Sequence, residues 1–190
     1  YTKDSGYSDI NCDVTGSGVY NFCFDKDGTA TAPITWNTSG TVILDGENTR
    51  TQTVHTRDGN NFILDGFIIR GATDDGFHIQ SITNGTYTNL TLVDNADEGA
   101  SGSTGGSASS NVVYSNLTIF RNGDHGIDFA GCSNCASINI TSFANVDSGH
   151  LLGPDTIAKL RSFANGTEGI NHVNGGGGVD IRESIIFANQ

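Results

Sequence analysis

Methionine is absent from the 190 residues, proline occurs only twice and tryptophan once. No run of eighteen apolar residues exists, which excludes a membrane-spanning helix. Basic residues are scarce, with nine Lys and Arg against 21 Asp and Glu and a net charge of −12. A duplex-binding face needs clustered Lys and Arg, so nucleic acid is excluded as a partner. An anionic polysaccharide would also be repelled unless calcium or a local basic patch intervened. The acidity by itself suits the solubility of a secreted or salt-adapted protein. No leader segment is visible and the chain begins at Tyr1, so a mature processed chain or an excised domain is expected.

Glycine is plentiful at 26 residues, with many Asn, Ser and Thr, a composition that suits short strands broken by turns. One phrase recurs five times: NLTLVDN at 89–95, NLTIFRN at 116–122, NITSFAN at 139–145, KLRSFAN at 159–165 and ESIIFAN at 183–189. The closing asparagines are 27, 23, 20 and 24 residues apart, a variable period of the kind solenoids show. Leu90, Leu117, Ile140, Leu160 and Ser184 form one column, and Leu92, Ile119, Ser142, Ser162 and Ile186 another. Thr91, Thr118, Thr141, Arg161 and Ile185 lie between them, a period of two that predicts strands. Each strand is expected to bend at its asparagine, which tolerates left-handed backbone. The Val93, Phe120, Phe143, Phe163 and Phe187 column is expected to stack inside. Asn95, Asn122, Asn145, Asn165 and Asn189 are expected to form an amide ladder.

The fold class that follows is all-β: a right-handed parallel β-helix of about seven coils over 31–190, with an amino-terminal cap over 1–30. VILDG at 42–46 echoes FILDG at 62–66, and FIIRGATDDGFHI at 67–79 carries the columns back through the chain. The Gly/Ser stretch 99–110 and NGGGG at 174–178 predict protruding loops. Asp25, Asp27 and Gly28 look like a fragment of a calcium loop but read better as a turn. The last phrase ends at Asn189 with no cap in view, so an open edge pairing with another molecule is expected.

Four cysteines fit an oxidising, extracellular setting. Proximity favours Cys12–Cys23 and Cys132–Cys135 among three connectivities, the second stapling a turn rather than forming a redox or zinc site. Six glycosylation sequons occur, at Asn37, Asn84, Asn89, Asn116, Asn139 and Asn165. Three of them, Asn89, Asn116 and Asn139, begin the strand phrase, so N-L-T also has a structural reading there.

After each asparagine comes an acidic turn: Asp74-Asp75-Gly76, Asp97-Glu98-Gly99, Asp124-His125-Gly126, Asp147-Ser148-Gly149 and Thr167-Glu168-Gly169. Stacked on a β-helix, Asp74, Asp97, Asp124 and Asp147 would lie about 4.8 Å apart. Carboxylates that close raise one another's pKa, and calcium is the natural neutraliser. Asp74, Asp75, Asp97 and Asp124 are therefore the candidate metal ligands. The bland alternative is that the turn simply needs Asp and Gly.

Phrases such as GTVILDG, NNFILDGFIIRGATDDGFHI and NLTIFRNGDHGIDF resemble the pectate-lyase-like superfamily of parallel β-helix proteins over roughly residues 31–190. The resemblance implies the fold and, for an enzyme, a polysaccharide substrate with calcium on stacked Asp. The superfamily's lyases also use a Lys or Arg base, and no such residue stands beside the acidic column. Arg121 falls opposite Asp94 and reads as its ion-pair partner. The superfamily's polygalacturonases suggest a second set by order along the chain: Asp97, Asp124, His150, Lys159 and Arg161. The doubled Asp is missing and the basic pair is inverted. His78, Asp128 and Asn171 share one column, but no histidine metal site can be built, and solvated histidines are expected. Two function classes follow. One is a non-catalytic extracellular or filament-forming module that associates end to end. The alternative is a lyase or hydrolase acting on an acidic polysaccharide through the Asp column.

Overall fold

A computed structural model describes residues 20–24, 27–102, 109–128, 132–152, 156–172 and 180–190. Every named strand pairing among them is parallel, and no helix occurs. The strands wind into a parallel β-helix. One sheet has seven strands: Tyr20–Phe24, Gln52–Arg57, Phe77–Gln80, Ala100–Gly102, Ile127–Asp128, His150–Leu152 and Asn171–His172. The other has twelve and contains the repeat phrases. Within the segment expected as a cap, Tyr20–Phe24 joins the seven-stranded sheet against Gln52–Arg57. Cys12, and with it the expected Cys12–Cys23 pairing, lies outside the described residues, as do Asp25 and the NGGGG segment. Cys132 and Cys135 form a disulfide.

The register reproduces the columns. Leu117 pairs with Ile140, Thr118 with Thr91 and Thr141, and Ile119 with Leu92 and Ser142. Leu90, Leu92, Leu117, Ile119, Ile140 and Leu160 are buried in the lumen. Burying each such side chain is worth about 1.5–3 kcal/mol. Where the lumen column turns to serine, Ser142 and Ser162 donate to the carbonyls of Gly149 and Gly169 at 2.9 Å, so no buried hydroxyl is stranded.

The asparagine ladder forms as expected. The side chain of Asn95 donates to Asn122 Oδ1 at 2.9 Å, Asn122 to Asn145 at 3.0 Å, Asn145 to Asn165 at 3.0 Å and Asn165 to Asn189 at 3.0 Å. Asn165 is 1 % exposed with its amide engaged on both sides, which leaves no room for a glycan on that sequon in the folded chain. The other five sequon asparagines are exposed.

Four expectations are corrected. The left-handed residue is not the ladder asparagine but the one before it: Asp94, Arg121, Ala144, Ala164 and Ala188 have φ between 52° and 56°. A second left-handed column runs through Gly66, Asn89, Asn116, Asn139, Lys159 and Glu183 and bends the twelve-stranded sheet. The phenylalanines stack with ring centroids 4.9–5.2 Å apart, but on the outer face. Alternation fixes this: Ile119 points inward, so Phe120 points out. The stretch 99–110 is not one loop, since Ala100–Gly102 and Ser109–Ser110 are strands. Finally, VILDG does not stack on FILDG; Leu44 pairs with Ile69, and the strand Ile34–Arg50 carries two register shifts.

Candidate functional site

The corner between the two sheets is built by the ladder asparagine and the glycine that ends each turn. A Cβ on Gly126 would approach Gly149 O and Ser142 Oγ to 2.4 Å, so only glycine lets successive turns stack this closely. Backbone hydrogen bonds lock the stack: Asp97 N–H donates to Asp74 O at 3.2 Å, Asp124 to Asp97 at 3.2 Å and Asp147 to Asp124 at 3.1 Å. The acidic column is therefore real. Ligand atoms of Asp74, Asp75 and Asp97 lie within 4.8 Å of one another, and so do those of Asp97, Glu98 and Asp124, and of Asp124, His125 and Asp147.

The charges in this corner are not equivalent. Burial, then the charge of Asp75, pushes the Asp74 carboxyl up to about 6. Burial, then the bond to Asp75, pushes Glu98 up to about 10, so the fold favours its protonated form, which would donate to the Asp75 carboxylate. Burial works to raise Asp75 as well, but hydrogen bonds from His78, Glu98 and Ser101 outweigh it and hold Asp75 below the ordinary carboxylate range. Burial also raises Asp124, with Asp97 and Asp147 adding and His125 opposing. The backbone N–H of Ser148 donates to His125 Nδ1 at 3.3 Å. The neutral His125 ring therefore carries its proton on Nε2, which makes that nitrogen a donor rather than a metal ligand. The oxygen sets fit a hard cation better than the set containing His125.

His78 gives the corner a second kind of chemistry. It stands on the outer face of Phe77–Gln80, between inward Phe77 and Ile79. Its Nδ1 lies 2.7 Å from Asp75 Oδ2, with side-chain exposures of 15 % and 7 %. The pairing fixes Nδ1 as the protonated nitrogen and leaves Nε2 with the lone pair. Asp75 belongs to the turn and His78 to the strand that follows, three residues on, so the dyad is set by the turn geometry. His55 occupies the same column one coil earlier, with ring centroids 5.0 Å apart. Burial, then His78, lowers the His55 pKa to about 3.

The other expected site residues fall as follows. Asp97 and Asp124 are neighbours in the column. His150 is fully buried in the lumen column with Ile127, its Nε2 2.8 Å from Ser137 Oγ. Burial lowers its pKa to about 4, so it is a neutral structural residue with no path to a substrate. Lys159 sits at the bend between Thr156–Ala158 and Arg161–Phe163, 3.9 Å from Glu183, and Arg161 pairs with Thr141 on the outer strand face. The set Asp97, Asp124, His150, Lys159 and Arg161 is thus divided among two corners, the outer face of the twelve-stranded sheet and the lumen. The expectation of solvated histidines is corrected too, since His55, His125 and His150 are buried. The Asp94–Arg121 ion pair is as expected, at 2.6 Å.

Column alignment does not reveal the His78–Asp75 dyad, because it groups His78 with Asp128 and Asn171 and Asp75 with the acidic turns. The usable signal is the parallel between VHTR at 54–57 and FHIQ at 77–80, which puts two histidines at one outward position beside a doubled Asp.

No protein-family model and no curated protein sequence matches this chain. Solved structures do resemble it. A periplasmic alginate epimerase, AlgG, superposes with a TM-score of 0.65 at 10 % identity, covering 90 % of this chain and 46 % of that one. A variant of the same epimerase gives a TM-score of 0.61 at 16 % identity over 80 % and 35 %. An alginate lyase from Paenibacillus sp. str. FPU-7 gives 0.57 at 17 % identity over 88 % and 66 %. The chain therefore spans between about a third and two thirds of the structures it resembles. At these identities the likeness establishes the parallel β-helix fold.

Proposed function

We propose that the corner around His78 and Asp75 is the active site of an enzyme acting on an acidic polysaccharide, with a uronate-proton abstraction at its centre. The observation that carries this reading is the 2.7 Å His78–Asp75 pair, which orients an imidazole on the outer face of a β-helix. A uronate has a weakly acidic C–H α to its carboxylate. His78 Nε2 takes that proton, and Asp75 stabilises the imidazolium that results. In a lyase, the C–H electron pair becomes a double bond to the neighbouring carbon. The glycosidic C–O bond there breaks, and its electrons leave on the oxygen, which is then protonated. In an epimerase a water on the opposite face of the ring delivers a proton to the same carbon, the proton on His78 is lost to solvent, and no bond to oxygen breaks.

Two polysaccharide-acting enzymes, an alginate epimerase and an alginate lyase, share the fold, which supports this reading over a hydrolase built on His150. The same likeness favours the enzyme over the non-catalytic, end-to-end stacking module, for which the exposed Ile185, Ile186 and Phe187 of the last described coil are the observation to set against it. Asp97 and Asp124 offer a calcium ion carboxylate oxygens, with Glu98 able to join them only on giving up its proton, and such an ion would offset the negative charge that meets an anionic chain. The Cys132–Cys135 disulfide and the periplasmic location in the epimerase's name favour action outside the cytoplasm.

The test is direct. Purified protein is incubated with alginate and with polygalacturonate, with and without calcium. Absorbance of unsaturated ends reports a lyase, and proton exchange or epimer composition by NMR reports an epimerase. Wild type is expected to be active and His78→Ala inactive with an unchanged melting temperature. Activity that survives His78→Ala would sink the proposal.

A further inference from the structure

The bond from His78 Nδ1 to Asp75 fixes one point of the imidazole. The ring can still swing about that point, so the direction of the Nε2 lone pair needs a second contact. The two flanks of His78 differ. On the coil before it stands His55, in register with it, the two rings 5.0 Å apart between centroids and tilted by 45°. On the coil after it the register neighbour is Ser101, a small side chain that hydrogen-bonds to Asp75. His78 therefore has an aromatic wall on one flank only.

That wall is itself held in place. His55 Nδ1 lies 2.8 Å from Oε1 of Gln52, and both residues are buried. The amide oxygen only accepts, so His55 carries its proton on Nδ1. On its other side His55 is in register with Cys23. Between Cys23 and His78 it is 2 % exposed, so it does not reach a sugar chain. With a pKa near 3 it stays neutral and does not compete with His78 for the proton. A side chain that cannot meet substrate, is locked by its own hydrogen bond and packs on the base is placed to set the orientation of that base.

We infer that His55 is a positioning residue for His78: its ring, fixed by Gln52, holds the His78 imidazole in the plane that aims Nε2 at the uronate C–H. The inference rests on the His78–Asp75 reading of the site. It adds that the substrate approaches over the Ser101 side of the base, since the His55 side is closed.

The test uses His55→Ala and His55→Phe, with two readouts. The first is steady-state turnover by the assays above. His55→Ala is expected to lower kcat by roughly 10- to 100-fold, the cost of a misaimed reacting group, with KM unchanged. His55→Phe keeps the ring flank without the Gln52 bond and should recover most of that loss. The second readout needs no substrate. The short Nδ1–H bond to Asp75 should give a downfield proton resonance that His78→Ala abolishes. It should weaken in His55→Ala and return in His55→Phe. A kcat unchanged in His55→Ala overturns the inference, and so does a loss confined to KM. Equal losses in the alanine and phenylalanine variants, at melting temperatures within a few degrees of wild type, overturn it too. Should His55→Ala fail to fold, His55→Phe decides: a folded variant without the resonance and without turnover counts against the inference. Wild type inactive on both polysaccharides, or turnover that persists in His78→Ala, marks failure of the underlying reading, and the resonance then judges His55 by itself.

Discussion

Replacing Asn145 with alanine tests whether the internal amide ladder holds the coils together. Asn145 Nδ2 donates to Asn165 Oδ1 at 3.0 Å and to Ser142 Oγ at 2.9 Å, while its Oδ1 accepts from Asn122 Nδ2 at 3.0 Å and Asn122 N–H at 3.2 Å. The substitution removes all four bonds in a buried setting. Each is worth about 1 kcal/mol net, and the groups left behind have no water to turn to. Asn122 Nδ2 retains Leu92 O at 3.3 Å, which softens the loss. The expected cost is about 3–5 kcal/mol, a large share of the stability of an ordinary domain. Urea denaturation followed by far-ultraviolet circular dichroism measures it. Val146→Ala, at the neighbouring residue that is 67 % exposed, serves as the control and should stay within about 0.5 kcal/mol. A coil that unravels locally would show as a reduced m-value rather than a shifted midpoint. A cost below about 1 kcal/mol at unchanged m would refute the idea that the ladder is structural. It would mean that stacking of the lumen columns suffices alone.

Two further substitutions read the buried ionisable groups. His150 has a folded pKa of about 4, below the value of about 6.5 it takes when unfolded, so the unfolded chain binds the proton first. Its contribution is complete above pH 6.5 and is lost as pH falls toward 4, by at most about 3 kcal/mol. His150→Gln should flatten the stability profile in that window, as measured by urea midpoints at successive pH values; an unchanged slope would place the titration elsewhere. Glu98 has the opposite sign. Its folded pKa of about 10 lies above the unfolded value, so its protonated form is favoured by folding and stability declines as pH rises from about 4.5. Glu98→Gln keeps a donor to Asp75 and removes the titration. In chelator-containing buffer it should therefore be at least as stable as wild type at pH 8, with a flatter alkaline limb. A destabilised variant there would show that Glu98 is ionised in the fold.

The columns of the β-helix were readable because stacking repeats a residue type at the same point of each coil. Leu90, Leu117, Ile140 and Leu160 fill one column, and the register pairs them as the alignment does. The amide ladder was readable for the same reason. The register of the early coils was not. The strand Ile34–Arg50 absorbs extra residues in two bulges, so the echo between VILDG and FILDG at a spacing of twenty misled. The acidic column was readable too, since the turn demands its glycine and tolerates its aspartates. The dyad was not, because it joins a turn residue to a strand residue outside the repeated phrase.

The remaining errors share one cause. An alignment of repeats states which residues stack, but not which side of the strand each column faces. That phase depends on where the chain crosses each bend, and the left-handed residue sits one position earlier than the asparagine suggests. The alignment alone therefore puts the phenylalanine column inside when it is outside, and order along the chain does not reveal that His150 points into the lumen beside Ser137. Once the phase is known, the outer columns separate from the lumen columns. The outward column of the seven-stranded sheet runs through His55, His78, Ser101, Asp128, Leu151 and Asn171 without settling on one residue type. The inward partners on the same strands, Val54, Phe77, Ala100 and Ile127, stay apolar, so the variety is confined to the side where the lumen does not dictate residue type.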